Sequence, residues 1–183
     1  MKTKLDLEKH STLDHIFLLK NFVDIFVTNG NQKLYCAFVD YKKAFDTVWR
    51  SALWHKLVQS GITGKMYNVI VNMYNNIKSC VSHDGNISDY FVSFNGVRQG
   101  ENLSPFLFAL FINDIEQFLV EYGCNPIEMA GTDLQIYLKL LIIMYADDTV
   151  LFANSKDNLQ RCLDGLKEYC DKWKLQINAD KLK

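Results

Sequence analysis

Two adjacent carboxylates, Asp147 and Asp148, are the residues of this sequence best suited to do chemistry. They lie between two apolar runs, residues 140–144 and 149–153, and such runs around a short polar junction predict a β-hairpin with the carboxylates at its tip. Two like charges this close disfavour joint ionisation, and a cation that prefers hard oxygen ligands, such as Mg²⁺, would relieve the repulsion. The alternative is an ordinary turn, because Asp is common in turns.

A third carboxylate, Asp40, ends an apolar segment, residues 33–40, whose pattern indicates a buried strand. If that strand shares a sheet with the hairpin, Asp40 would lie near Asp147 and Asp148. Three such groups could hold two Mg²⁺ ions about 3.5–4 Å apart and support an in-line phosphoryl transfer. The alternative for Asp40 is a helix N-cap, a position that Asp favours.

A glycine-flanked polar segment precedes the long apolar run that follows Pro105. Within it, Arg98 suits phosphate, Gln99 can hydrogen-bond a base or sugar edge, and Gly100 would let a ligand approach the backbone closely. Ser104 and Pro105 predict a helix that begins with a serine N-cap and favours anions at its N-terminus. The alternative is a plain loop before a capped helix.

The elements that must position these residues form an α+β pattern. Apolar residues at helical spacing predict helices at residues 11–27, 44–60, 65–74, 104–122 and 155–173. Strands are predicted at residues 33–40, 77–82, 90–94, 140–144, 149–153 and 175–178, with a loop at 123–133. This order of elements indicates a small antiparallel sheet with helices packed on one face.

Composition limits the partners and the compartment. The 183 residues are 49% hydrophobic, which is enough for a sizeable core. Their net charge is −1, so any binding of nucleic acid would need a local basic surface or regions outside this chain. The five cysteines form no CxxC pair, which predicts reduced thiols in an intracellular protein, nuclear or cytoplasmic. Polar side chains interrupt the apolar run at residues 106–119, so we expect no membrane-spanning segment.

Three segments in chain order resemble motifs A, B and C of reverse transcriptases: FVDYKKAFD at residues 38–46, GVRQGENLSP at 96–105 and YADD at 145–148. The fit is best to the non-LTR (LINE-type) retrotransposon class. It extends to residues 10–17, similar to a motif of the fingers, and to 173–181, similar to motif D. The resemblance implies a polymerase palm, with 1–32 as a remnant of the fingers, 33–183 as the palm, and the thumb and endonuclease absent.

The resemblance also implies a catalytic centre. Asp40, Asp147 and Asp148 would be the catalytic triad that binds two Mg²⁺ ions, with Mn²⁺ as a possible substitute. Lys181 would donate a proton to the pyrophosphate leaving group. Its alternative is an exposed, solvated lysine, the usual state of this residue type.

A second set of residues is implied to bind nucleotide and template. Phe45 would be the steric gate, a bulky ring that excludes a ribose 2′-OH; its alternative is a core aromatic. Arg98, Gln99 and Gly100 would contact the incoming nucleotide and the template. Tyr145 would pack beneath the hairpin and support the primer end.

The implied function is an RNA-directed DNA polymerase that transfers nucleotides from dNTP to a DNA primer on an RNA template, together with the remaining domains of a retroelement. One alternative is an inactive remnant that binds nucleic acid weakly or serves as an interaction module. Another is a different palm-fold enzyme, such as a nucleotide cyclase, which would need neither Gln99 nor a steric gate. Glu101 departs from the family pattern, because it places an acidic group close to the expected phosphates.

Overall fold

The structure, a computed structural model, forms two compact units. The described residues are 20–21, 23–24, 33–75, 77–130, 137–145 and 148–181, with the backbone alone at 128–130, 137–140, 143, 145 and 181. The first unit lies within Met1–Tyr41, Ile115–Tyr169 and Ile177–Lys183, and the second within Lys42–Asp114 and Cys170–Gln176. The segment that resembles a fingers motif lies outside the described residues, and so does most of the helix predicted before residue 28.

The secondary structure of the described residues mixes helices with short strands. The helices are α1 (Ala44–Thr47), α2 (Arg50–Gln59), α3 (Gly64–Tyr74), α4 (Leu103–Phe111), α5 (Ile115–Glu121) and α6 (Lys156–Trp173), and a 3₁₀ turn spans Ala179–Lys181. The strands are β1 (Tyr35–Val39), β2 (Lys78–Ser79), β3 (Ser82–His83), β4 (Asn86–Ile87), β5 (Phe91–Val92), β6 (Ile127–Ala130), β7 (Tyr137–Leu140), β8 (Ile142–Tyr145) and β9 (Asp148–Ala153).

A three-stranded antiparallel sheet of order β1–β9–β8 forms the centre of the first unit. Its strands are rich in β-branched and aromatic residues, which favour a pleated, half-buried backbone. Leu151, Phe152 and Ala153 of β9 are fully buried. β8 and β9 form the predicted hairpin, in which Tyr145 pairs with Asp148. The predicted α+β class with a small antiparallel sheet is confirmed.

A second strand pair, β6 with β7, corrects the prediction for residues 123–133. That segment was predicted to be a loop, but Ile127–Ala130 is a strand. The strand predicted at residues 140–144 is divided by a bend at Leu141, so that β7 ends before it and β8 begins after it. The local sequence does not indicate the strand β6 or the bend at Leu141, because both depend on which other strand pairs with that segment.

Helices α5 and α6 contact each other through side chains in the first unit. The rings of Phe118 and Tyr169 meet edge to face with 5.4 Å between their centroids. Asn158 is buried on α6. Its Oδ1 accepts a hydrogen bond from the Asn125 backbone N–H at 3.0 Å, and its Nδ2 donates to the Asn125 backbone carbonyl at 2.8 Å. This reciprocal pair fixes the turn that follows α5 against α6.

The second unit contains two helices where the sequence predicts one. The predicted helix at residues 44–60 is interrupted at Val48 and Trp49, whose ψ angles of 119° and 102° are extended. α2 then packs on α3 and α4 around the buried side chains of Leu53, Leu57 and Phe108. The interruption places a short backbone edge, α1 and the two extended residues, beside the segment that precedes α4.

The predicted hairpin between α3 and α4 is present as two short ladders, β2 with β5 and β3 with β4. Asp84 and Gly85 form its tip, with φ angles of +48° and +80°. Two positive φ values in succession are typical of a tight hairpin turn, which Gly and Asp tolerate better than most residues. The turn is therefore set by local sequence.

The apolar segment Leu103–Glu121 is long and apolar enough, by length and composition alone, to cross a membrane. In the structure it forms two helices, α4 and α5, and six of its large apolar residues are fully buried: Leu107, Phe108, Phe111, Ile112, Ile115 and Leu119. Ser104 was predicted as the N-cap, but α4 begins at Leu103. The Ser104 hydroxyl is buried and donates instead to the carbonyl of Arg98.

A buried lysine, Lys56 on α2, lies in the core of the second unit. Its ammonium donates to the Phe111 carbonyl at 2.5 Å and to Asp114 Oδ1 at 2.6 Å, and lies 3.9 Å from the centre of the Trp173 ring. Burial lowers the pKa of Lys56 to about 8, against the opposing effect of its hydrogen bond to Asp114. The ammonium thus connects the end of α4 to α2, although its removal from water disfavours the charged form.

We expect the free energy of unfolding to carry a Lys56 contribution that rises with pH from about 8 towards 10.5, because the unfolded chain holds this proton over that range and the folded chain does not. Between pH 7.5 and 9.5 the contribution should be about 1–2 kcal/mol. Urea unfolding of the unsubstituted chain and of Lys56→Met at both pH values measures it. The difference between the two proteins isolates Lys56, since both retain the same thiols; equal slopes would contradict the assignment.

Candidate active site

The carboxylates of Asp40 and Asp148 lie at neighbouring strand ends. β1 pairs with β9 in register as far as Val39 opposite Thr149, and Asp40 directly follows this last pair while Asp148 directly precedes it. Asp148 is exposed and Asp40 is half-buried. The two acidic residues predicted to share a sheet edge therefore do so.

Asn178 holds the Asp40 carboxylate in place. Its side-chain amide donates to Asp40 Oδ2 at 2.9 Å, and its backbone N–H donates to the Asp40 carbonyl at 2.8 Å. Next to this pair, Tyr41 and Ile177 form an isolated antiparallel bridge. The alternative of Asp40 as an N-cap is wrong, because the N-cap of α1 is Lys43, in the left-handed region with φ of +48°.

Of three further predicted site residues, one is not described and two are described by their backbones alone. Asp147 lies outside the described residues, between Tyr145 and Asp148, which pair across the hairpin. Tyr145 and Lys181 are described by their backbones, at the end of β8 and in the 3₁₀ turn. Their predicted roles at the primer end and as proton donor stay predictions.

The residues at this strand end fit a divalent metal in chemistry and placement. Asp40 and Asp148 supply hard carboxylate oxygens, the ligands that Mg²⁺ prefers, and one of them is fixed by a hydrogen-bond donor as metal ligands often are. Among the described residues, which omit Asp147, no group of three His, Cys, Asp or Glu side chains is close enough to form a metal site. The third ligand of the predicted set is the omitted residue.

Replacing Asn178 with Ala should weaken Mg²⁺ binding about tenfold, because a carboxylate that loses its orienting hydrogen bond binds metal less well. Calorimetric titration of the chain with Mg²⁺ or Mn²⁺ measures the change without reference to catalysis. Asn68→Ala, on the exposed face of α3, is the matched control. Equal affinity in all three proteins would show that Asn178 does not support a metal ligand.

In the second unit, Phe45 lies on α1 with its ring partly exposed. One part of the ring packs against Phe108 of α4, with 5.1 Å between the ring centroids. The side chain is thus packed on the core without being fully buried. This placement is compatible with a steric gate, and that role stays a prediction.

Gln99 is hydrogen-bonded to Asp46, the residue after Phe45. The Gln99 side-chain amide donates to Asp46 Oδ1 at 2.8 Å, and both side chains are exposed. Gly100 follows with φ of +86°, and a Cβ there would meet no atom within 4 Å. Glycine is required at this position by the backbone angle, and the open space would let a ligand approach the backbone.

Arg98 and Glu101 form an ion pair with 2.7 Å between Nη1 and Oε1. Arg98 also donates to the carbonyl of Met73 at 2.8 Å and lies over the ring of Tyr74. The guanidinium, predicted to contact the nucleotide or template, is therefore bound within the chain. The same pair explains how an acidic residue is accommodated in this motif: Arg98 compensates the charge of Glu101.

The structure adds residues that sequence reasoning did not place in the site. Asn178 falls in the segment that resembles motif D, but nothing in its neighbourhood indicates that it bonds to Asp40. Asp46 ends the segment that resembles motif A, where it had no assigned role, and Arg50 lies outside the three motifs. All three act through partners far away in sequence, so local pattern carries little signal for them.

Comparisons with known proteins agree with the motifs. The family described as reverse transcriptase (RNA-dependent DNA polymerase) matches residues 4–183. The RNA-directed DNA polymerase from mobile element jockey of Drosophila melanogaster is 28% identical over 179 residues, which is 94% of this chain and 18% of that protein. The Pol polyprotein of the type-2 retrotransposable element R2DM of the same species is 31% identical over 147 residues, 80% of this chain and 13% of that protein.

Solved structures of similar fold include telomerase from Candida tropicalis. The truncated apo form has a TM-score of 0.64 at 18% identity, and the match covers 95% of this chain and 35% of the telomerase. The form in complex with a fragment of telomeric RNA has a TM-score of 0.67 at 17% identity, with 95% and 29% covered. This chain spans less than a fifth of the length of the jockey and R2DM proteins. With motifs A, B and C in order and nearly the whole sequence matched, the chain belongs to the reverse transcriptase family, and its resemblance to the enzymes of non-LTR retrotransposons is confirmed.

Proposed function

We propose that this chain is the catalytic palm of an RNA-directed DNA polymerase encoded by a non-LTR retrotransposon. The observation that carries the proposal is the pairing of β1 with β9, which brings Asp40 and Asp148 to the same end of the sheet in a chain of the reverse transcriptase family. Both carboxylates are present, so the alternative of an inactive remnant has no support at this position.

The reaction is attack of a DNA primer 3′-OH on the α-phosphorus of a dNTP, which forms a P–O bond and releases pyrophosphate. Members of this family generally use divalent metal ions. Asp40, Asp147 and Asp148 would hold these ions, which supply charge neutralisation at the phosphates and activation of the hydroxyl. Lys181 would return a proton to the leaving pyrophosphate.

Nucleotide choice belongs to the second unit in this proposal. The half-buried ring of Phe45 would exclude a 2′-OH, and its packing on the Phe108 ring would support it in that position. Gln99, oriented by Asp46, would hydrogen-bond the incoming nucleotide or the template base. Arg98 would act through the shape of its loop, which its Nη1 and Nη2 hold by hydrogen bonds to Glu101 and to the Met73 carbonyl.

The partners proposed are an RNA template, a DNA primer, dNTP and the remaining parts of a larger protein. The net charge of −1 agrees with a division of labour in which other regions, such as fingers and thumb, carry most phosphate contacts. A jockey-like protein is more than five times as long as this chain, which leaves ample sequence for them.

Primer extension with dTTP and Mg²⁺ on poly(rA)/oligo(dT) tests the proposal, beside an Asp147→Asn control. Extension by the unsubstituted chain and none by the control would support it. The same reactions are run with the chain extended by the flanking regions of its parent protein. If neither the short nor the extended protein adds nucleotides, the proposed activity is wrong although family membership stands.

A further inference from the structure

Arg50, the first residue of α2, makes an unusually large number of hydrogen bonds to one backbone segment. Its Nε donates to the Gly96 carbonyl at 2.8 Å, and its two Nη atoms donate to the carbonyls of Ser93 at 2.6 Å and Asn95 at 2.9 Å. Nη1 also lies 3.5 Å from the Tyr74 carbonyl. The planar fork of a guanidinium suits several acceptors at once, as a lysine ammonium would not.

The position of Arg50 in its helix points to a tertiary role. A positive charge in the first turn of a helix is unfavourable with respect to the helix dipole, and α2 has no acidic residue there to compensate. Burial also lowers the pKa of the guanidinium, which nevertheless stays protonated. The unfavourable local setting is offset by the carbonyls it binds and by the Tyr74 ring, whose centre lies 5.3 Å away.

The segment that Arg50 binds is in turn bonded to the backbone around Phe45. Gly96 N–H donates to the Val48 carbonyl at 2.9 Å, and Val97 N–H donates to the Phe45 carbonyl at 2.7 Å. A Cβ on Gly96 would lie 2.7 Å from the Asp46 carbonyl oxygen, so only glycine fits there. The two backbones therefore approach as closely as sterics allow.

Two residues further along, Gln99 donates its side-chain amide to Asp46 at 2.8 Å. The path from Arg50 is thus continuous: its guanidinium binds residues 93–96, residues 96 and 97 bind the α1 backbone, and Gln99 binds the residue after Phe45. Phe45 and Gln99, the two side chains predicted to select the nucleotide, are therefore held by the same hydrogen-bonded backbone segments.

We propose that Arg50 is a positioning residue for nucleotide selection, which fixes the segment 93–97 against α1 and thereby sets Phe45 and Gln99 in register with each other. The inference rests on the proposed function for its nucleotide part. It assigns Arg50 no contact with substrate; its effect passes through the backbone hydrogen bonds of Gly96 and Val97.

Amide hydrogen exchange in the 183-residue chain tests the structural step without any activity. Arg50→Met should raise the exchange rates of the Gly96 and Val97 amides at least tenfold, and Arg50→Lys by an intermediate amount. The amides of β1 and β9, in the first unit, should change less than twofold. Lys65→Met, which removes an exposed positive charge from α3, is the matched control. Unchanged exchange at Gly96 and Val97 would overturn the proposal.

Primer-extension kinetics test the nucleotide step. Arg50→Lys should raise KM for dTTP and lower the preference for dTTP over UTP about tenfold, with a smaller change in kcat. A residue that only stabilises the fold would reduce the active fraction, so kcat would fall while KM and the preference stayed constant, and that result would overturn the proposal. No extension by the unsubstituted chain, short or extended, would contradict the proposed function and the nucleotide step with it, whereas exchange rates would still decide whether Arg50 holds the segment.

Discussion

Replacing Asp148 with Asn should reduce primer extension by on the order of 10³-fold or more without loss of the fold. Asn has nearly the same shape but no charge, so the register of β1 with β9 is kept while a carboxylate proposed to bind metal is lost. In the absence of metal the substitution should leave the melting temperature unchanged or raise it, because it removes one of several neighbouring like charges.

The control for this prediction is Asp84→Asn. Asp84 also lies at a hairpin tip, and its φ of +48° is one that Asn adopts readily. The two substitutions are chemically identical and differ only in the hairpin that carries them. Extension measured in parallel, with circular dichroism to verify folding, should be lost in the first protein and kept in the second. Activity retained by Asp148→Asn would refute the placement of the catalytic centre.

Replacing Phe45 with Val should relax the discrimination between dNTP and rNTP by about 10- to 100-fold, measured as the ratio of kcat/KM for dTTP and UTP. The expected cause is steric, because a smaller side chain leaves room for the 2′-OH that the Phe45 ring would exclude. The rate with dTTP should fall much less, since the reacting phosphate does not depend on this ring.

Phe45 also packs on Phe108, so its truncation removes core contact and should lower the free energy of unfolding. Selectivity is a ratio measured on the same protein and is insensitive to such a loss. Phe91→Val, on the exposed strand β5, is the control for removal of an aromatic ring. An unchanged dTTP-to-UTP ratio in Phe45→Val would leave this residue as a core aromatic.

Local sequence predicts the elements with strong periodicity and clear turn signals. The hairpin of β8 and β9 follows from two apolar runs around a polar junction, and the Asp84–Gly85 turn follows from residues that accept positive φ. Helix 155–173 was predicted from its amphipathic pattern and is found as Lys156–Trp173. The errors lie where packing decides: the break at Val48, the bend at Leu141, the strand β6, and residues 175–178, predicted as a strand, where an isolated bridge at Ile177 forms instead.

The sequence by itself determined the family and the chemical character of the site, because the motifs are contiguous and their order along the chain is visible. From the sequence alone, candidate residues for metal or nucleotide binding could be named: Asp40, Asp148, Phe45 and Gln99. The tertiary structure decided what orients them. Asn178 reaches Asp40 across 138 residues, and Arg50 reaches Gly96 across 46. A hydrogen bond forms only when donor and acceptor come within about 3 Å of each other. For groups so far apart in sequence, the fold of the backbone alone decides whether they do.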